Sequence, residues 1–336
     1  IALYSVSRST TDRSLMVAKI LLIRMSSMGD LIHTLPVISD IHQHYPEAQI
    51  DWVAEEAFAA IPSFHPCVNT IIPIAWRRWR RQLLQRQAWR QMAAFKAQLQ
   101  AQHYDAVIDT QGLLKSALVG KMARGPLYGM NSACVRERLA LPFYDTCLAV
   151  PKGLHVVQRN RVIAGMALGY TPDTPVHYGL KALACAPDWQ PQQPYAVCLT
   201  ATARAAKEWP EAHWVSIAQR LHQQGLQTIW PWGSAAERAR CQRIVAALGA
   251  GLIAPARLDL TQAAGLMQQA KLVLGVDTGL THLGNAMETP TVAIFCDSLP
   301  SHAGVMNRRY AVNLGGLQQH PTVDAVWRAV EQGLQA

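Results

Sequence analysis

The sequence predicts an α/β protein made of two mostly parallel sheets, one in each half, joined by a connection and facing a cleft. Three observations predict it. Short apolar runs without alternation recur along the chain, as strands buried on both faces require. Stretches of helical apolar spacing separate them, which is the pattern of repeated strand–helix units. The pattern breaks once, over residues 170–194, where Pro172, Pro175, Pro187, Pro191 and Pro194 fall in a segment of little periodicity, and then it resumes. A chain of 336 residues, half of them apolar and only 16% charged, can bury two ordinary cores and has no reason to be disordered. No apolar run approaches the roughly 18 residues of a membrane span.

Residues 20–23 (Ile-Leu-Leu-Ile) open the first half as a buried strand. Ser26, Ser27 and Gly29 follow, and Leu31, Ile32, Leu35 and Ile38 then carry helical spacing. The loop lies at the carboxyl end of the strand, where open α/β sheets put their sites. Asp30 is its one carboxylate. From this stretch alone it reads as a helix cap, favoured by the dipole and free N–H groups, with a site residue as the alternative. Strands are expected next at 49–53, 70–72 and 106–109. The last leads through Gln111-Gly112-Leu113-Leu114-Lys115 into an Ala- and Leu-rich helix, and another helix follows at 155–168. In the second half strands are expected at 195–199, 227–230, 252–254, 272–276 and 291–295. Helices fall at 213–222 and 235–248, and an amphipathic helix at 322–334 closes the chain.

The expected domains are 16–172 and 195–336, with 173–194 as linker. Residues 1–15 are polar and read as a disordered extension, with Met16 as the expected start. They lack the apolar core of a signal peptide, so a cytoplasmic protein is expected. Seven scattered cysteines, odd in number and without a C-x-x-C pair, point to reduced thiols instead of a zinc or disulfide framework.

Gly275-Val276-Asp277-Thr278-Gly279-Leu280-Thr281-His282 joins a strand end to a helix start whose free N–H groups suit a phosphate; an ordinary capped turn is the plain alternative. Thr200 to Pro210 offers Thr202, Arg204 and Lys207 after another strand, a set fit for an anionic leaving group or simply a solvated loop. No G-x-G-x-x-G and no Walker A pattern is present, which weakens dehydrogenase and NTPase readings. The histidines make no metal set and no D-x-D occurs, so stabilisation of a leaving group by protein groups is expected. Trp76-Arg77-Arg78-Trp79-Arg80-Arg81, continued by Arg86, Trp89 and Arg90, is the densest basic segment in a chain of net charge +9. Arg interleaved with Trp suits nucleic acid or an anionic membrane surface, against a solvated helix face with core Trp residues.

In this order, these motifs resemble the lipopolysaccharide heptosyltransferases over nearly the whole chain from about Met16. The resemblance rests on Ser26-Ser27-Met28-Gly29-Asp30 with His33-Thr34-Leu35-Pro36, on Ile74 to Arg80, and on Asp109-Thr110-Gln111-Gly112-Leu113. It rests further on Lys207-Glu208-Trp209-Pro210, Trp230-Pro231-Trp232-Gly233 and Val276 to His282. It implies a GT-B fold of two Rossmann-like domains. It also implies inverting, metal-free transfer of L-glycero-D-manno-heptose from ADP-L-glycero-β-D-manno-heptose to the first Kdo of Kdo2-lipid A. The branch that adds the second heptose is the alternative, and a basic nucleic-acid-binding protein is the alternative of another class. The family's general base falls on Asp30. Its donor contacts fall on Thr202, Lys207, Glu237, Asp277, Thr278, Gly279 and His282, and its acceptor contacts on Arg24, Arg77, Arg78, Arg80 and Arg136. No cofactor and no nucleic acid are expected, and the expected form is a monomer at the cytoplasmic face of the inner membrane. Ala203, Ala205, Ala206 and Cys296-Asp297-Ser298 depart from the family pattern near the donor contacts.

Overall fold

The computed structural model describes residues 18–182, 187–202 and 204–336. The extension expected at 1–15, Met16, Cys185 and Ala203 lie outside the described residues. The first half is a six-stranded parallel sheet of β1 (Lys19–Ile23), β2 (Gln49–Glu55), β3 (Val68–Ile74), β4 (Ala106–Asp109), β5 (Leu127–Met130) and β6 (Thr146–Leu148), in the order β3-β2-β1-β4-β5-β6. The second half repeats it with β7 (Tyr195–Leu199), β8 (Gln227–Trp230), β9 (Leu252–Ile253), β10 (Leu272–Val276), β11 (Thr291–Phe295) and β12 (Ala311–Gly315), in the order β12-β11-β10-β7-β8-β9. Both halves thus have Rossmann order. The strand sequence reverses between β1 and β4 and again between β7 and β10, which opens a crevice at the carboxyl ends of those strands.

The apolar runs follow from this placement. β1 lies between β2 and β4, with Leu21 in register with Asp51 and Val107. Ile20 and Leu22 enter one core with Trp52, and Leu21 and Ile23 enter another with Val107. A central strand covered on both faces has no polar side to show. The first of these cores is continuous across the molecule, taking Leu31 and Ile32 from one half with Leu199, Val273 and Leu283 from the other.

The helix expected after β1 is two helices, Met28–Ile32 and Leu35–His44. Pro36 accounts for the break: it has no N–H for Ile32, and its ring conflicts with that carbonyl. Three short strands were not expected. β5 contains Gly129, where a Cβ would lie 2.4 Å from the Tyr144 ring, and β6 and β12 are half-exposed edges. The Arg/Trp segment forms helices Trp76–Trp79 and Arg86–Gln100 with turns between them. The described part of 170–194 contains no helix or strand and touches both halves. Lys181 N donates to Phe64 O (3.0 Å), and Asn285 Nδ2 donates to the buried Tyr178 hydroxyl (3.2 Å). Among the described residues no helix is long and apolar enough to cross a membrane.

Candidate active site

The two halves meet where helix Met28–Ile32 abuts helix Gly279–Ala286. A Cβ on Gly279 would lie 2.9 Å from the Met28 Cβ, so glycine is what permits this approach. Two adjoining cavities flank the contact. One, of about 880 Å³, is lined by Asp30, His33, Arg136, Arg159, Lys207 and Asp277 among others. The other, of about 780 Å³, is lined by Trp232, Glu237, Arg257 and Leu258 among others. Met28, Phe58, Thr202 and Thr278 belong to both walls.

Asp30 is a cap and a cavity residue at once. Its Oδ2 accepts from Ser27 N (3.0 Å) and from Ser27 Oγ (2.9 Å), fixing the carboxylate at the first helical turn. Burial raises its pKa, but the Arg24 guanidinium, the Ser27 hydrogen bonds and Arg136 outweigh that effect, so the carboxyl sits below its ordinary value. It is an ionised acceptor facing open space. Arg24 is fully buried behind it and does not line the cavity. Its Nε donates to Thr110 Oγ1 (3.1 Å), and its Nη2 donates to the Thr110 carbonyl and to Asn160 Oδ1 (3.0 Å). Desolvation brings Arg24 down to about 10, which still leaves it charged at neutral pH. The Asp109 motif supports the same wall. Asp109 accepts from Ser116 Oγ, Tyr144 OH and the amides of Gln111 and Gly112, and Gln111 Oε1 in turn holds Met25 N at 2.9 Å.

On the opposite wall Asp277 gathers the polar groups. Its Oδ2 accepts from the Lys207 ammonium and from Ser298 Oγ (2.7 Å), and its Oδ1 lies 3.3 Å from His282 Nε2. Burial opposes ionisation, yet the hydrogen bonds from His282, Lys207 and Ser298 carry its pKa far below the usual range. An ionised Asp277 can only accept, which assigns a proton to His282 Nε2. His33 Nε2 lies 3.2 Å from His282 Nδ1, a hydrogen bond across the cleft. Burial, His282 and His155 hold His33 well below its normal pKa, so its own ring is neutral.

The other expected residues are spread. Thr202 donates to the Asp277 carbonyl (3.3 Å), and Thr278 and Gly279 start the second-half helix. Glu237 accepts from Gly233 N (2.6 Å) at the far end of the second cavity. Of the five arginines only Arg136 lines the cavity around Asp30. Arg77 borders the other cavity, its guanidinium 5.2 Å from the Phe58 ring centroid. Arg78 is paired with Glu56 (3.0 Å) and is on neither wall of the cleft, while Arg80 faces a third cavity of about 400 Å³ with Trp76 and Lys115. Sequence reasoning passed over Arg159, which lines the Asp30 cavity, and Lys115, which donates to Ser26 Oγ (3.2 Å). The spacing of His155 and Arg159, one helical turn apart, was the available signal. Ser298, which departs from the family pattern, is a direct partner of Asp277.

Two Rossmann-ordered sheets facing a cleft, with an ionised carboxylate on one wall and a cation beside a helix start on the other, have the two-domain architecture of GT-B glycosyltransferases. A profile of "Glycosyltransferase family 9 (heptosyltransferase)" matches residues 92–329. The chain is 42% identical over 299 residues to lipopolysaccharide heptosyltransferase 1 of Pseudomonas aeruginosa, covering 88% of this chain and 83% of that protein. It is 38% identical to the Escherichia coli K12 heptosyltransferase 1 (85% and 90% covered) and 27% identical to the Salmonella typhimurium heptosyltransferase 2 (88% and 87% covered). The solved structure of E. coli heptosyltransferase WaaC with ADP superposes with a TM-score of 0.86 at 36% identity, covering 94% of this chain and 99% of that one. WaaC with ADP-2-deoxy-2-fluoro heptose gives 0.80 at 35% identity, with the same coverage. The chain belongs to glycosyltransferase family 9 and is a heptosyltransferase.

Proposed function

We propose that the protein transfers L-glycero-D-manno-heptose from its ADP-activated form to the first Kdo of Kdo2-lipid A, with inversion, at the cytoplasmic face of an anionic membrane. The single observation that carries this reading is the ionised, cavity-facing Asp30 set across the cleft from the Lys207–Asp277 pair. Inversion in one displacement needs a base for the acceptor hydroxyl on one side of the anomeric carbon and stabilisation of the leaving diphosphate on the other. Asp30 takes the hydroxyl proton. Lys207 and the free N–H groups at Thr278 and Gly279 receive the charge that grows on the ADP oxygens. The adenosine then extends into the second cavity, between Trp232 and Leu258, where Glu237 is positioned to accept from ribose hydroxyls. Arg136 and Arg159 beside Asp30 suit the carboxylate of a Kdo acceptor, as guanidinium forks pair with carboxylates. The low similarity to heptosyltransferase 2, against heptosyltransferase 1, favours the first-heptose reaction. The assay is ADP release with ADP-heptose: turnover with Kdo2-lipid A and little with an acceptor already carrying that heptose is expected, and the reverse preference overturns the reading.

Arg24 in this scheme tunes the base from behind. Arg24→Gln removes its charge while keeping a donor for Thr110 and Asn160. Without that charge the Asp30 pKa rises. Since the carboxylate is the active form, the acid limb of the kcat/KM–pH profile moves to higher pH than in the parent enzyme. A limb that does not move separates Arg24 from the base.

A further inference from the structure

Large apolar side chains are exposed together on the first half, outside both cavities of the cleft. Leu84 is fully exposed, and Leu83 and Trp89 are 51% and 59% exposed. The segment is built, not loose. Gln82 N donates to Trp79 O (2.9 Å), Gln85 N donates to Gln82 O (2.9 Å), and the Trp89 indole N–H donates to the Leu83 carbonyl (2.7 Å). The two leucines are thereby held outward at the turn. Arg86, Trp89 and Arg90 share one face of helix Arg86–Gln100 by their three- and four-residue spacing. Arg81, Arg86 and Arg90 are exposed, and among the described residues none of them is in an ion pair, unlike Arg78. Leucines ringed by unpaired arginines with an adjoining indole match the chemistry of an anionic bilayer surface: an apolar tip for the acyl boundary, Trp for the headgroup level, cations for lipid phosphates.

We propose that residues 81–90 are the membrane-docking edge of the protein, with Leu83 and Leu84 entering the interface of an anionic bilayer and Arg81, Arg86 and Arg90 meeting its phosphates. The site's position fits this role. Arg80, next to the tip, shares a cavity with Lys115, and Lys115 donates to Ser26 Oγ beside the Asp30 loop. A sugar carried directly on a lipid has little reach, so the base must lie close to the docked edge. This inference rests on the lipid-anchored acceptor proposed above and locates where that membrane is met.

The test is co-sedimentation of the full chain with vesicles of phosphatidylethanolamine and phosphatidylglycerol, with phosphatidylcholine vesicles alongside. The parent protein is expected to sediment with the anionic vesicles and much less with the neutral ones. A Leu83→Ser/Leu84→Ser double variant is expected to partition at least about tenfold less, and Arg81→Ala/Arg86→Ala to lose the preference for anionic lipid. Both variants should keep the parent thermal midpoint and the parent turnover of deacylated acceptor, because the substituted side chains are solvent-exposed and outside both cavities of the cleft. If the serine variant sediments like the parent, or if the parent binds both vesicle types equally, the docking edge is overturned. A parent that sediments with neither overturns the membrane surface itself. Absent turnover of the deacylated acceptor overturns the heptosyl reading, independently of the vesicle result.

Discussion

Asp30→Asn is expected to lower kcat by at least about 100-fold, the lower end of what a positioned general base contributes, while ADP binds as tightly as before. Asparagine keeps the shape of the side chain, and its amide oxygen can still accept from Ser27, so the helix start survives. It cannot take a proton at neutral pH. The ADP contacts proposed here lie on the opposite wall, beyond Met28, so the donor affinity should not follow the loss of rate. The separation is the informative part. Should the substitution weaken ADP binding and turnover together, Asp30 would be a cap whose loss disorders the cleft. Near-parent heptose transfer by the variant would remove it from the chemistry altogether.

The parts of this arrangement that could be read in the sequence are those set by local patterns. β1, β4, β7, β10 and β11 are central or near-central parallel strands, and their unbroken apolar runs follow from burial on both faces. The glycine at 279 and the helix start around it could be anticipated from the turn chemistry of Gly275 to His282. What could not be read is set by long-range contacts. The resemblance puts Arg24 among the acceptor contacts, yet three side-chain hydrogen bonds to Thr110 and Asn160, distant in sequence, let its guanidinium be buried at the end of β1. The ion pair of Arg78 could not be seen in the basic segment because its partner, Glu56, is 22 positions away at the start of the short 3-10 helix Glu56–Phe58. β5 and β6, four and three residues long, are too short to signal a strand, and their order comes from pairing with β4 and with each other. Asp109 joined the family resemblance without a role. In the fold it is a buried scaffold that ties the β4 loop to Tyr144 and, through Gln111, to the backbone leading to Ser26.

Lys207→Ala is the second large effect, and its size comes from what the lysine leaves behind. Lys207 is paired with Asp277, so the wall that should receive a diphosphate already contains one carboxylate. With the ammonium present the pair is close to neutral, and Lys207 retains protons to offer an incoming phosphate oxygen. Without it, the Asp277 carboxylate keeps only Ser298 and His282 as donors, and it faces the ADP oxygens as a like charge. Two effects then add: one donor to the leaving group is lost, and an uncompensated anion remains beside it. Removing a single oxyanion donor costs about 100- to 1,000-fold in rate, and kcat/KM for the variant is expected in that range. ADP affinity, measured by calorimetry, should fall by about tenfold or more, in contrast to Asp30→Asn. Lys207→Ala/Asp277→Asn, which also removes the stranded charge, is expected to recover part of the ADP affinity but not the rate. An unchanged ADP dissociation constant in Lys207→Ala would confine the lysine to holding Asp277 and leave the helix start at Thr278 as the diphosphate's main support.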